Sequence, residues 1–134
     1  MSSSKIIHKS AWIHLVDGRV LSTRSKGKQT YYFPGGKPEV GETPEEALIR
    51  EIKEELTADL IPGTISLLGI FEGPAHGHVD TTVCMTCFTA GYHGTLMPAA
   101  EIAEVLWLQY ADIESTSPVD QIIFRWLHER NMLF

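Results

Sequence analysis

Cysteine is scarce in this 134-residue chain, which holds only Cys84 and Cys87. Two thiols cannot build the disulfide framework of a small secreted domain. Their C-x-x-C spacing has no second pair to complete a structural zinc site. They fall in the run Thr82 to Thr89, which reads as a strand, where positions three apart point to opposite faces. The expected role is that of two small apolar core or edge residues. Positive charge is also in short supply, with 11 Lys and Arg against 17 Asp and Glu and a net charge of −6. A nucleic-acid polymer is therefore not the expected partner, since such binders usually carry a basic face. A phosphorylated small molecule remains open to an acidic protein when divalent cations stand between them. No apolar run approaches a membrane span. The polar start Met1-Ser2-Ser3-Ser4-Lys5 lacks the apolar stretch of a signal peptide. The expectation is a cytoplasmic protein with no membrane partner.

What is present is enough apolar sequence, 43%, for one packed domain over residues 1–134. Repeats, linkers and low-complexity tracts are missing. Ile6 to Val16 reads as a strand, Asp17-Gly18 as a hairpin turn and Arg19 to Thr23 as the returning strand. Tyr31-Tyr32-Phe33 reads as a short aromatic strand, broken by Pro34-Gly35-Gly36-Lys37-Pro38. A helix is predicted from Pro44 to Thr57, capped by Thr43 with Glu46 three residues later and proline at the first position. Ile65 to Glu72, Val79 to Tyr92 and Glu104 to Tyr110 read as strands. A last helix is predicted over Pro118 to Arg130, with Ile122, Ile123, Trp126 and Leu127 at helical spacing. Trp12 and Trp107 are expected to pack. The order predicts an α/β fold with a mixed sheet between helices.

The chemistry concentrates on the first helix. At 100° per residue, Glu51, Glu54 and Glu55 share one face, while Ala47, Leu48 and Ile52 supply apolar positions toward a sheet. Like charges one turn apart destabilise a helix. Arg50, Lys53 or solvent can relieve some of the repulsion. A hard divalent cation relieves more, because magnesium takes oxygen ligands and is often held by one or two carboxylates plus substrate phosphates. The glycine-rich bend before the helix lets backbone approach closely, and Lys37 on that bend can meet a phosphate. A solvated acidic face is the alternative for any one of these glutamates.

The full spacing decides between them. Gly36, Glu42, Arg50, Glu51, Ile52, Glu54 and Glu55 fall in register with G-x5-E-x7-R-E-U-x-E-E-x-G-U, where U is a bulky aliphatic residue. The segment resembles the box of Nudix hydrolases, running from Gly36 to Ala58. Thr57 stands where the pattern has glycine, and Ala58 where it has a larger aliphatic residue. The first departure concerns the helix exit, where glycine's advantage is the left-handed conformation. Phe33-Pro34-Gly35-Gly36-Lys37 and the order of elements are also similar to the family.

The resemblance implies a Nudix-type α/β/α sandwich and a hydrolase that cuts a pyrophosphate linkage with magnesium, manganese being chemically suited as well. It implies Glu54 and Glu55 as metal ligands, Glu51 as a further ligand or the base that activates water, and the Gly35 carbonyl as another ligand. Arg50 then orients a neighbouring glutamate, with Glu42 in support. Some members use a glutamate outside the box, for which Glu101 is the first candidate and Glu104 the second. Ordinary surface glutamates are the alternative for both. Family members are often dimers, so a homodimer is one expected assembly.

For the substrate, Gly36 and Lys37 are candidates on the bend. His76 in Gly73-Pro74-Ala75-His76-Gly77-His78 is a loop candidate, with His78 and Asp80 beside it. Gln121, next to Asp120 at the start of the last helix, has an amide suited to a nucleobase; capping and solvation are the competing role of that pair. A nucleoside triphosphate is the favoured substrate, with a nucleotide sugar or ADP-ribose-like diphosphate as the second reading. A non-catalytic nucleotide sensor is the reading from another class. It conflicts with a full set of box glutamates.

Overall fold

The structure, a computed structural model, describes residues 5–134. Lys5–Trp12 (β1) runs parallel to Thr81–Thr89 (β7), which pairs antiparallel with Ser66–Pro74 (β6). Gly35–Gly36 (β4) closes the other edge against β1, giving the order β4-β1-β7-β6. A second, antiparallel sheet joins Leu15–Val16 (β2), Arg19–Ser25 (β3) and Ile102–Leu108 (β9). Asp59–Leu60 (β5) and Tyr92–His93 (β8) form a two-residue ladder. The helices are Pro44–Leu56 (α1) and Pro118–Glu129 (α2).

Period-two alternation sorts the side chains into two cores. Ala11 from β1 and Val83, Met85 and Cys87 from β7 join Val119, Ile123, Phe124 and Leu127 of α2. On the opposite face Trp12 and Phe88 join Leu48, Ile52 and Leu56 of α1, together with Leu21 of β3. Each fully buried Leu, Ile or Phe contributes about 1.5–3 kcal/mol, so both helices are held chiefly by these faces. The mixed α/β expectation holds. Cys87 is buried while Cys84 is only half-buried, consistent with opposite faces.

Four local expectations are revised. The run Ile6 to Val16 is not one strand. Its chain leaves the first sheet after Ile13, whose N–H donates to Phe88, and enters the second at His14, whose carbonyl accepts from Leu21. Tyr31-Tyr32-Phe33 is not a strand either, since Tyr31 and Tyr32 make single bridges to Thr116 and Thr23. The predicted strand Val79 to Tyr92 spans only Thr81–Thr89, and Ala90 and Gly91 separate it from Tyr92. Trp12 is fully buried, but Trp107 is 39% exposed on β9.

Helix α1 begins as its capping signals dictate. Thr43 Oγ1 accepts from the Glu46 N–H at 3.1 Å, and Glu46 Oε1 accepts from the Thr43 N–H at 2.9 Å. Such a cap is worth about 1 kcal/mol. At the far end Thr57 occupies the left-handed region, φ 59°, where the box has glycine. Its hydroxyl donates to the Thr95 carbonyl at 3.1 Å. That bond offsets part of the strain of a β-branched residue there.

Candidate active site

The cluster forms where α1 lies beside the glycine bend. Leu48, Ile52 and Leu56 are spaced four apart and point into the core. Glu51 and Glu55 sit one residue before Ile52 and Leu56, at the edge of that buried stripe, so their carboxylates are drawn partly beneath the surface. Glu55 is only 7% exposed. Its Oε1 accepts from the Gly35 N–H at 3.0 Å, tying helix to bend. Glu54 faces outward, with its side chain 55% exposed.

Both glycines of the bend are required by close approach. Gly35 has φ +143°, and a Cβ there would lie 2.0 Å from the Ser10 carbonyl oxygen. At Gly36 a Cβ would lie 2.5 Å from the Glu51 carboxyl carbon. A side chain at position 36 would therefore displace the Glu51 head group.

Arg50 organises the remaining charges. Its Nε and Nη2 donate to the two oxygens of Glu42 at 2.8 and 2.9 Å, a bidentate pair. Its Nη1 donates to Glu51 Oε1 at 2.9 Å, and Nη2 reaches the Lys37 carbonyl at 3.2 Å. Glu54 lies 3.5 Å from Nη1. The hydrogen bonds from Arg50 hold the Glu42 carboxyl down at about 2, and Glu42 in turn raises the guanidinium further above its ordinary value.

One arginine does not neutralise the whole group. Burial pushes the Glu55 carboxyl up to about 8, against the Gly35 hydrogen bond, and Glu51 and Glu101 add to the rise. Burial also raises Glu51, opposed by Arg50 and reinforced by Glu54 and Glu101. Glu101 thus bears on both carboxylates, its backbone held where the Lys26 N–H meets its carbonyl at 2.7 Å. Glu104 is directed elsewhere, accepting from Arg24 Nε at 2.6 Å across the β3–β9 ladder.

The donor set fits a hard divalent cation. Carboxylates with an unmet excess of negative charge, half-withdrawn from water, are what such an ion relieves. Among the described residues no three His, Cys, Asp or Glu side chains already converge as a cage. A divalent cation held by few carboxylates keeps several waters and takes phosphate oxygens.

Beyond Lys37 a cleft of about 200 Å3 opens between β1, the 74–78 loop and the start of α2. Ile7, Pro74, Ala75, Val83 and Val119 give it apolar walls, while Lys9, Tyr32, His76, His78 and Ser117 also line it. His76 is therefore brought to the cleft, its ring centroid 6.5 Å from that of Tyr32. Gln121 turns away, its Nε2 donating to the Thr116 carbonyl at 3.0 Å.

Asp120 beside it is fully buried and accepts from the Phe33 N–H at 2.8 Å. Asp120 Oδ1 and Ser117 Oγ are both buried without a hydrogen-bond partner of ordinary geometry. Burial pushes the Asp120 carboxyl up to about 7, opposed by the Phe33 N–H, then the Ser117 hydroxyl and Lys9. Lys9 and Ser117 were not singled out by sequence reasoning. The alternation of Lys5, Ile7 and Lys9 on one face of β1 is the signal that marks Lys9.

The sequence model of the NUDIX domain matches residues 7–127, and the chain belongs to that family. It is 44% identical over 73 residues to the ADP-ribose pyrophosphatase of Methanocaldococcus jannaschii, covering 50% of this chain and 42% of that protein. It is 47% identical over 53 residues to the RNA pyrophosphohydrolase of Halorhodospira halophila, covering 40% of this chain and 28% of that protein. The matches thus span less than half the length of these curated relatives. A crystal structure of the MutT protein from Methanosarcina mazei Go1 shares the fold, with a TM-score of 0.76 and 18% identity over 98% of this chain and 99% of that one. Members of the family generally use divalent metal ions. No helix among the described residues is long and apolar enough to cross a membrane.

Proposed function

We propose that this protein hydrolyses a pyrophosphate linkage in a nucleoside triphosphate, with magnesium bound at the α1 carboxylates. The observation that carries the reading is the Arg50-centred cluster, in which half-buried Glu51 and buried Glu55 meet exposed Glu54 beside a glycine bend. Glu54, Glu55, Glu101 and the Gly35 carbonyl would hold the cation. When bound, the cation lowers the pKa of water and offsets charge on the phosphoryl oxygens.

The protein's own groups do the rest. Arg50 fixes Glu51 through one oxygen and leaves Oε2 to take a proton from the attacking water or to join the ligands. Glu42 holds Arg50 in that orientation. Gly36 keeps the space in which the Glu51 head group lies, and Lys37 meets the phosphates. Tyr32 and the apolar walls of the cleft receive the base, and His76 borders it. Gln121 is left in a supporting place by its bond to Thr116.

The two relatives differ in substrate by name and share only the pyrophosphate linkage. The triphosphate reading rests on Lys37 and Tyr32 lining one cleft of about 200 Å3. A diphosphate conjugate, cut at the same linkage, is the second reading.

The test is a panel of nucleoside triphosphates and diphosphate conjugates, with and without magnesium, read as phosphate and pyrophosphate release. Magnesium-dependent turnover of a triphosphate, reduced about 100-fold in Glu54→Gln, is expected. Turnover confined to conjugates moves the assignment to the second reading. No turnover across the panel favours a nucleotide sensor.

A further inference from the structure

A cavity on the second sheet takes no part in the reaction proposed above. Its volume is about 440 Å3, and Val16, Asp17, Arg19, Trp107 and Gln109 line it. That size falls in the range of small-molecule pockets. The β2–β3 ladder sets Val16 opposite Arg19, and the β3–β9 ladder sets Leu21 opposite Trp107. Alternation then brings Val16, Arg19 and Trp107 to one face of the sheet.

Trp107 is held by other rings. The His14 ring lies 5.6 Å from it, stacks on buried Trp12 at 4.6 Å and meets Tyr92 edge-on at 5.3 Å. Burial lowers the His14 imidazole below its ordinary value, so the support of the indole is uncharged at neutral pH. The indole itself stays partly exposed, as does Val16. An indole backed by packed rings and open to a cavity is a fixed stacking platform. The hairpin that carries the charges is fixed as well. Asp17 and Gly18 have φ of 52° and 77°, as a two-residue turn of this kind requires. The Phe134 N–H donates to the Gly18 carbonyl at 2.8 Å, and the Phe134 ring packs on Gly18. Asp17 and Arg19 are exposed, and among the described residues neither takes part in an ion pair. A guanidinium is a fork for phosphate oxygens, and a carboxylate accepts from N–H groups. A planar ring that bears both a phosphate and N–H donors engages the indole and both charges at once.

We propose that this cavity is a second nucleotide site, where a nucleoside monophosphate stacks its base on Trp107, gives its phosphate to Arg19 and donates base N–H groups to Asp17. It is separate from the α1 cluster, since none of its lining residues lines the cleft at Lys37. The inference needs neither metal nor turnover and does not depend on the hydrolase reading.

The indole N–H resonances of nitrogen-labelled protein test the site in metal-free buffer. The chain has three tryptophans, so Trp107→Phe assigns the Trp107 signal by its loss. The probes are adenosine 5′-monophosphate, adenosine and phenyl phosphate. The monophosphate is expected to shift the Trp107 signal in a saturable way. Adenosine, which lacks the phosphate, and phenyl phosphate, which lacks ring N–H donors, are each expected to bind about tenfold more weakly.

Arg19→Ala is expected to weaken the monophosphate about tenfold and to leave adenosine unchanged. Asp17→Gly suits the positive φ of the turn and is expected to bring the monophosphate and phenyl phosphate to similar affinity. Unchanged Trp12 and Trp126 signals in the free variants show that they fold. No shift of Trp107 at about 10 mM monophosphate, equal affinity for the monophosphate and adenosine, or affinity unaffected by Arg19→Ala overturns the inference. Phenyl phosphate binding as tightly as the monophosphate to the parent protein makes the cavity a general aromatic-anion site and overturns the nucleotide assignment. Failure of the hydrolase reading would appear separately, as absence of metal-dependent release from the substrate panel.

Discussion

At the scale of single residues the glycine pair and Asp120 make the sharpest claims. Gly36→Ala would push the Glu51 carboxylate off its place, since the added carbon meets it at 2.5 Å. The expected result is a kcat lower by about 10- to 100-fold with little change in melting temperature, read by steady-state kinetics beside a thermal melt. Gly35→Ala meets backbone at 2.0 Å and a φ of +143°. It should instead destabilise the fold by about 2 kcal/mol or more.

Asp120 gives a pH signature. Its carboxyl is raised from 3.8 to about 7 by burial, so the folded state holds a proton that the unfolded state has lost in that window. The stability it contributes is complete below about pH 4 and is lost as pH rises toward 7. Asp120→Asn keeps an acceptor for the Phe33 N–H and removes the charge. It is expected to raise stability at pH 8 by on the order of 2 kcal/mol and to change little at pH 4. Denaturant unfolding at both pH values checks this; equal effects at the two would contradict it.

At the scale of elements, α1 was the most legible in the sequence. Its cap, proline, apolar stripe and acidic face are all local, and the structure places it over Pro44–Leu56. The exit at Thr57 was legible only as a departure from the box. Its left-handed backbone and its hydroxyl bond to Thr95 show how the departure is accommodated. Thr57→Val keeps the branched side chain at positive φ and loses the bond, so it should cost about 1 kcal/mol. Thr57→Gly loses the bond but relieves the backbone, and should stay within about 0.5 kcal/mol of the parent. Chemical denaturation separates the two; a larger loss for glycine than for valine would refute the account.

The strands were read less well for a physical reason. Alternation reports which face a residue takes, not which sheet it joins, so the switch at Ile13 and His14 left no trace in the pattern. The same blindness held Glu101 and Glu104 together as candidates. The β3–β9 register, which sets Glu104 opposite Arg24, and the effect of Glu101 on Glu51 and Glu55 separate them. Glu101→Gln should therefore weaken magnesium activation, about tenfold in the metal concentration required, while Glu104→Gln should leave it unchanged. A magnesium titration of turnover checks both.

At the scale of the whole molecule, two faces of opposite character adjoin. The α1 face gathers carboxylates around a single arginine, and the β1 face gathers lysines and histidines around an aromatic cleft. The box made the first face legible because seven fixed positions lie within one short segment. The second comes from β1, the 28–32 segment, the 74–78 loop and the start of α2. Its parts are too far apart in sequence to form a pattern, and net charge concealed it.

The most direct test of the central claim, that the α1 carboxylates hold a divalent cation, is manganese binding followed by electron paramagnetic resonance with magnesium as competitor. The account predicts manganese bound by the parent protein, displaced by magnesium, and lost to free solution in Glu54→Gln and Glu55→Gln when both variants remain folded. Equal binding by the parent and both folded variants would contradict it.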